Sequence, residues 1–338
     1  MRANTRERSA GRRLRQITVL GAVLAVLLTG ACGGASTQTA KPKVAAKATA
    51  QADLAVFGAD KYLQNPLDFN GAVDWTLART VHMELGEMYF KPKDLVLQAG
   101  VPYLLELKNK GVVEHEFTAA TFFRSSSIRK IETDNGEVRV PFFTGIKVQP
   151  GKTVTVFAIP VVPGKFEMLC EIPQHREQGM EGTILVVGHR PTVPVPVIGK
   201  MKDGPWLPNA QAIVKAANWD SPKTVQIEAG EGGPTGMYFK PKHLALKVGT
   251  PYVIQLVNKG SMLHEYTADD FFPTVAFKRA QDAGGEYTSP LIKEAEVKAG
   301  QELDLYLIPT QAGSFKVVCK LQGHEAAGMV GTIDVTPK

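Results

Sequence analysis

Apolar positions along the chain fall into two kinds of run. The first kind occurs once, from Ile17 to Leu28, as twelve uncharged, mostly apolar residues behind an arginine-rich stretch. Twelve is too short to cross a bilayer and suits the apolar region of an export signal. The second kind is short, recurrent and rich in β-formers. Examples are Val96-Leu97, Pro102-Tyr103-Leu104-Leu105-Glu106-Leu107, Thr153-Val154-Thr155-Val156-Phe157 and Gly182-Thr183-Ile184-Leu185-Val186-Val187. Gly100, Gly111, Gly151 and Gly164 separate many of these runs. Short strands punctuated by glycine and proline predict an all-β chain of β-sandwich type. The stretch Thr121 to Gly145 is longer than an ordinary connection and has room for a short helix.

The runs belong to a repeat. Met88-Tyr89-Phe90-Lys91-Pro92-Lys93 returns as Met237-Tyr238-Phe239-Lys240-Pro241-Lys242. His115-Glu116-Phe117-Thr118-Ala119 returns as His264-Glu265-Tyr266-Thr267-Ala268, and both offsets are 149. Upstream, Trp75, Thr80 and Val81 match Trp219, Thr224 and Val225 at an offset of 144, the difference being the glycine-rich insertion Gly232 to Gly236. A period this long excludes a solenoid and means two duplicated domains. They are expected at 78–188 and 223–338, joined by a proline-rich linker at 189–222. A length of 338 residues accommodates two domains and extra segments.

Late in each copy stands a Cys-x4-His-x4-Met motif: Cys170, His175 and Met180, then Cys319, His324 and Met329. Each Cys is preceded, 55 residues earlier, by the repeated His115 or His264. One thiolate, two imidazoles and a thioether form the donor set of a trigonal copper site with a weak axial ligand. The thiolate is soft, the imidazoles suit both copper oxidation states, and the thioether demands no new geometry of either. The set expected to bind metal is therefore His115, Cys170, His175 and Met180 in one copy, and His264, Cys319, His324 and Met329 in the other. Such a set arises easily once by chance. Here it occurs twice at one offset, while the residues between differ: Glu171-Ile172-Pro173-Gln174 against Lys320-Leu321-Gln322-Gly323.

Both copies resemble the cupredoxins, the plastocyanin- and azurin-like blue-copper proteins. Phe90-x-Pro92, the Gly100 turn, Asn109 ahead of His115, and Pro163-Gly164-x-Phe166 leading into Cys170 carry the resemblance. The second copy matches with Phe239-x-Pro241, Gly249, Asn258 ahead of His264, and Gly313-x-Phe315 leading into Cys319. The resemblance implies two tandem Greek-key β-sandwiches, each with one type 1 copper, and one-electron carriage between larger redox partners such as a membrane oxidase or reductase, or cytochromes. It also implies that electrons pass by His175 and His324, with Ile172 and Pro173, or Leu321 and Gly323, around their edges. Glu116 and Glu265 depart from the pattern and leave the hydrogen bonding around the site open. Met88 and Met237 read as core residues and Met262 as a packing residue. His82, His189 and His243, which have no repeat partners, read as surface residues, and so do the Lys91/Lys93 and Lys240/Lys242 pairs.

Other copper chemistries fit less well. A multicopper oxidase needs about eight histidines, usually in His-x-His pairs; this chain has seven and no such pair. Copper nitrite reductases need a further His-rich site and usually lack type 1 ligands in their second domain. A two-copper CuA-type centre needs two cysteines in one loop. The expectation is a non-enzymatic electron carrier, with a copper protein for storage, delivery or tolerance as the alternative.

The leader decides the charge and the compartment. Residues 1–31 hold six arginines and one glutamate, which account for five of the six formal positive charges. The remainder is close to neutral, so the basic balance gives no support for nucleic-acid binding. Leu28-Thr29-Gly30-Ala31-Cys32 resembles the lipobox of bacterial lipoproteins. That implies a signal at 1–31, lipidation of Cys32 and a membrane-tethered protein on the extracytoplasmic side. With Gly33 rather than Asp after it, the outer membrane is favoured in a Gram-negative cell. Ordinary cleavage near Ala31 is the alternative. Residues 32–77 read as a tether and lead-in segment. The three cysteines are then one anchor and two ligands, leaving none for a disulfide.

Overall fold

The computed structural model describes residues 57–58, 60–203, 206–233 and 236–338. The expected signal at 1–31 and the anchor Cys32 lie outside them. Among the described residues the strands dominate, and no helix is long and apolar enough to cross a membrane. The short runs become strands because their side chains alternate between core and surface, as in Asp94–Gln98 (exposed, buried, exposed, buried, exposed) and Tyr103–Asn109.

Each copy is a sandwich of two mixed sheets. In the first copy, one sheet is built from Arg79–Gly86, Tyr103–Asn109, Thr153–Pro160, Ser126–Glu132 and Gly136–Arg139. The facing sheet is built from Asp94–Gln98, Glu181–Val187, Gly164–Leu169, His115–Thr118 and Gly145–Val148. Neighbours in space are seldom neighbours in sequence, which is the Greek-key signature. Phe117, Phe122, Phe123, Phe143, Leu105 and Val156 are fully buried between the sheets. The second copy repeats this order, so the fold is all-β, two cupredoxin-type β-sandwiches.

The long stretch after Thr121 holds the short helix Ala120–Arg124 and then the strands Ser126–Glu132 and Gly136–Arg139. Each copy is also preceded by a helix, Pro66–Ala72 or Ala210–Ala216. Each helix is followed by a tryptophan that donates back to a helix carbonyl, Trp75 to Asn70 at 3.1 Å and Trp219 to Val214 at 2.9 Å. The segment between the copies thus carries the strand Ile198–Lys200 and the helix Ala210–Ala216.

The two copies, which lie in one compact unit, share their sheets. Gly136–Arg139 pairs antiparallel with Glu294–Val297, and Gly285–Thr288 pairs with Gly145–Val148. The result is two continuous eleven-stranded sheets, each containing strands of both copies. The pairings are equivalent under the repeat, so the seam is a pseudo-two-fold interface. Thr133 and Asp282 occupy equivalent positions and bond to each other at 2.7 Å, which puts the axis between them. The seam needs glycine at two equivalent places. A Cβ on Gly136 would lie 2.1 Å from the Glu296 carbonyl oxygen, and one on Gly285 would lie 2.0 Å from that of Lys147. Outside the two large sheets, Lys61–Leu63 pairs with Ile198–Lys200, and Tyr62, Phe142, Met201 and Leu291 form a small separate cluster that contains residues of both copies.

The strand registers fix where each copy's ligand loop points. His115 lies opposite Val148, which lies opposite Gly285 across the seam; His264 lies opposite Val297, which lies opposite Gly136. Gly136 and Asn109 stand at the same end of one sheet, and Asn109 reaches across to the Val148 carbonyl at 2.8 Å. Both loops therefore open on the same end of the molecule.

Candidate metal centres

Each candidate centre is assembled from one strand and one loop. His115 begins the strand His115–Thr118, whose Thr118 pairs with Leu169 at the end of Gly164–Leu169. Cys170 follows at once, so its thiol emerges beside the histidine strand. The chain then turns through Cys170 to Met180 before Glu181–Val187 begins. Backbone bonds close that loop on itself: Cys170 N–H donates to Met180 O at 3.0 Å and Met180 N–H to His175 O at 3.1 Å. The second loop repeats both bonds, at 3.2 and 3.0 Å. Gly179 and Gly328, just before the methionines, have φ of 105° and 95°, a region open to glycine and strained for other residues. Gln174 and Gly323, just before the second histidines, also have positive φ.

The side chains converge. One ligand atom each from His115, Cys170 and His175 lies within 4.8 Å of the others, and the same holds for His264, Cys319 and His324. Cys170 Sγ is 3.4 Å from His175 Nδ1, and Cys319 Sγ is 3.2 Å from His324 Nδ1. Met180 and Met329 are fully buried in the same loops. His115 and His264 are 0% and 2% exposed, while His175 and His324 reach 9% and 8%, so the second histidine of each pair is nearer the surface. Ile172 and Leu321 pack partly buried against the core beside these loops.

The donor set fits a soft divalent or monovalent metal ion. Nδ1 of His115 and of His264 is buried without a hydrogen-bond partner, an arrangement that costs free energy unless a ligand completes it. Burial holds both of these histidines below the ordinary imidazole pKa, keeping them neutral as ligation requires. Burial also pushes the Cys170 and Cys319 thiols up, so a charged sulfur needs a cation beside it. Each sulfur already accepts one backbone N–H, from Glu116 at 3.4 Å and from Glu265 at 3.3 Å. Thus the residue after each first histidine approaches the sulfur through its backbone, while its carboxylate faces the seam.

No family model matches the chain. Over 140 residues, 32% of this chain and 76% of the other, it is 25% identical to the copper-resistant cuproprotein CopI of Pseudomonas aeruginosa. Among solved structures, a multicopper oxidase from Campylobacter jejuni aligns with a TM-score of 0.32 and 12% identity, over 78% of this chain and 65% of that one. A copper nitrite reductase from Nitrosomonas europaea aligns with a TM-score of 0.28 and 17% identity, over 76% and 94%. Scores this low carry no argument of their own.

The remaining candidates separate clearly. His82, His189 and His243 are exposed, His82 against Glu106 at 2.7 Å and His243 against Thr332 at 2.7 Å. Met88 and Met237 are half-buried. Met262, expected to pack, is instead 41% exposed, because its loop ends at the surface where Val112 and Val113 of the first copy also stand out.

Two residues near the centres escaped the sequence reading. Glu231 Oε1 lies 3.0 Å from His264 Nε2, and Glu87 Oε1 lies 3.7 Å from His115 Nε2. A signal existed: Glu84-Leu85-Gly86-Glu87 returns as Glu228-Ala229-Gly230-Glu231 at the upstream offset of 144. A third acidic group is also new. Glu265, Glu294 and Glu296 are buried together at the seam, where Arg139 pairs with Glu294 and, at 3.1 Å, with Glu296.

Proposed function

We propose that the protein binds two copper ions, one at each cluster, and carries single electrons through them. The observation that carries this reading is the buried, unpartnered Nδ1 of His115 and His264, each beside a buried cysteine and a second histidine. Bound copper supplies a one-electron couple between Cu(II) and Cu(I). The residues around it do the rest. Cys170 with His115 and His175, and Cys319 with His264 and His324, would hold the ion through thiolate and imidazole donors, Met180 and Met329 would offer a weak thioether, and the closed loops would hold these side chains so that little need move when the charge changes. His175 and His324, at the surface edge, are the places where electrons enter and leave.

Support for copper comes from the similarity to a protein named as a cuproprotein. Support for a carrier rather than an enzyme comes from the histidines: four stand in the clusters, and His82, His189 and His243 are scattered and exposed. The copper-resistance part of that relative's name favours a second reading, a copper protein for storage, delivery or tolerance. The two readings separate by colour. A carrier loaded with Cu(II) is intensely blue and cycles reversibly, whereas a delivery protein holds exchangeable Cu(I). Cys170→Ser is expected to remove about half of the blue absorption and Cys319→Ser the other half. Loss of all colour in either single variant rejects two independent sites.

The partners in this reading are extracytoplasmic redox proteins, and the membrane is reached through lipid on Cys32. Detergent-phase partitioning of the full chain and of Cys32→Ala tests the anchor; wild type in the aqueous phase rejects it.

A further inference from the structure

We propose that Glu87 and Glu231 are positioning residues that hold the buried histidines from behind and set the reduction potentials of the two centres, more strongly at His264 than at His115. The proposal rests on the reading of the clusters as copper centres. The histidine that each carboxylate contacts has two ring nitrogens. Glu231 faces Nε2 of His264 at 3.0 Å, leaving Nδ1 as the buried, unpartnered nitrogen of a ring that converges with Cys319 and His324. A carboxylate accepts a hydrogen bond, so Nε2 carries the proton and Nδ1 keeps its lone pair. Neither carboxylate belongs to the converging donor sets themselves. Each stands behind a ligand.

The carboxylates are built in. Glu231 accepts from the Ser261 N–H at 2.9 Å and the Met262 N–H at 3.1 Å, and Glu87 accepts from the Val112 N–H at 2.5 Å. These are the loops that lead into His264 and His115. The loops are pinned from the other side by Asn258 and Asn109. Each donates to two carbonyls and accepts an N–H, from Gly260 at 2.9 Å or from Gly111 at 2.8 Å. Both glycines are required for the fit. A Cβ on Gly111 would lie 2.3 Å from Glu87 Oε1 and 2.7 Å from His115 Nε2, and one on Gly260 would lie 2.3 Å from Glu231 Oε2. The repeated glycine clears the space that the repeated carboxylate fills.

The chemical consequence is directional. A negative charge on the far side of an imidazole makes it a stronger donor and favours the more highly charged metal. It therefore lowers the potential of the copper that the ring binds. The contact is a hydrogen bond in the second copy and a looser approach in the first, so the effect is larger at His264.

The test uses the full chain and midpoint potentials of the two copper waves, assigned with Cys170→Ser, which leaves only the second centre. Glu231→Gln keeps the shape and an acceptor for Ser261 but removes the charge. It is expected to raise the second wave by about 60 mV, which is a tenfold loss of relative Cu(II) affinity for a one-electron couple, and to leave the first unmoved. Glu87→Gln is expected to raise the first wave by less. A second wave that stays in place or falls in a Glu231→Gln protein that keeps its blue band overturns the proposal. So does equal loss of affinity for Cu(I) and Cu(II), the mark of a purely structural role. A measurement on metal-free wild type does not depend on the copper reading: long-range proton–nitrogen NMR should find the His264 proton on Nε2. Finding it on Nδ1 overturns the proposal even if Glu231→Gln does not fold. A wild type that binds copper without a blue band instead rejects the reading of the clusters as blue electron-carrying centres and leaves the NMR result to stand alone.

Discussion

In the proposed reading four ring nitrogens and four sulfurs carry the chemistry, and the surroundings of the histidines and cysteines explain why metal would enter. A buried unpartnered Nδ1 and a buried thiolate are each costly alone; a soft cation removes both costs. The methionines are the least constrained donors by type, because a thioether binds weakly and favours Cu(I) over Cu(II). Met180→Gln supplies a harder amide oxygen and should lower one of the two measured potentials, by roughly 60 mV per tenfold gain in relative Cu(II) affinity. The other potential should hardly change, since separated sites act independently. Protein-film voltammetry checks this, with Met88→Leu as a control that should move neither wave. At this scale the sequence was informative where identity alone sufficed, as with Cys170 or His324. It was silent where the role depended on approach. Nothing in the local pattern said that Glu116 would meet the sulfur through its backbone, or that Glu87, 28 positions before His115, would stand behind that ring.

At the scale of elements, the ligand loops and strands were readable, because a strand ending in Cys and another opening at Gly182 leave few geometries for what lies between. The seam was not readable. Edge pairing between non-equivalent strands of the two copies leaves no periodicity of its own, and its charges are what reveal it. Lys147 faces Glu286 at 3.3 Å, but the equivalent pair is Glu296 against Glu137, with Arg139 within 3.1 Å of both. Burial, with Glu137 facing it, pushes Glu296 up to about 8; Arg139 opposes this, and Glu265 adds to the shift. Glu137 is held below its usual range, its partners Lys130 and Arg139 outweighing its burial. A carboxyl raised from 4.5 to about 8 on folding is protonated in the native state while the unfolded chain ionises. Its contribution is complete below about pH 4.5 and is lost as the pH climbs through 8. Thermal melts of metal-free protein should therefore show stability falling over that interval. Glu296→Gln should flatten the fall by several kcal/mol; an unchanged slope would show that the proton sits elsewhere.

At the scale of the whole molecule, the repeat announced two sandwiches but not that they would be joined through both sheets. Each first-histidine strand is one strand from the seam, on opposite sheets. At strand spacings of about 4.8 Å and a sheet separation of about 10 Å, the two histidine backbones stand roughly 17 Å apart on a shared end. A single partner surface can thus face both centres. The shared sheets also bear on how such a chain could arise and come apart. Cut free, the first copy would bare Gly136–Arg139 and Gly145–Val148 as open edges. Those edges complement each other in a second identical molecule, where Glu137 would meet Lys147 twice. The second copy's edges would set Glu286 against Glu296 twice, acid on acid. Expressed separately and run on a sizing column, the first half should therefore assemble as a homodimer and the second should stay single. The covalent pair then reads as an ancestral self-association made permanent, with one partner altered so that it can no longer pair with its own kind.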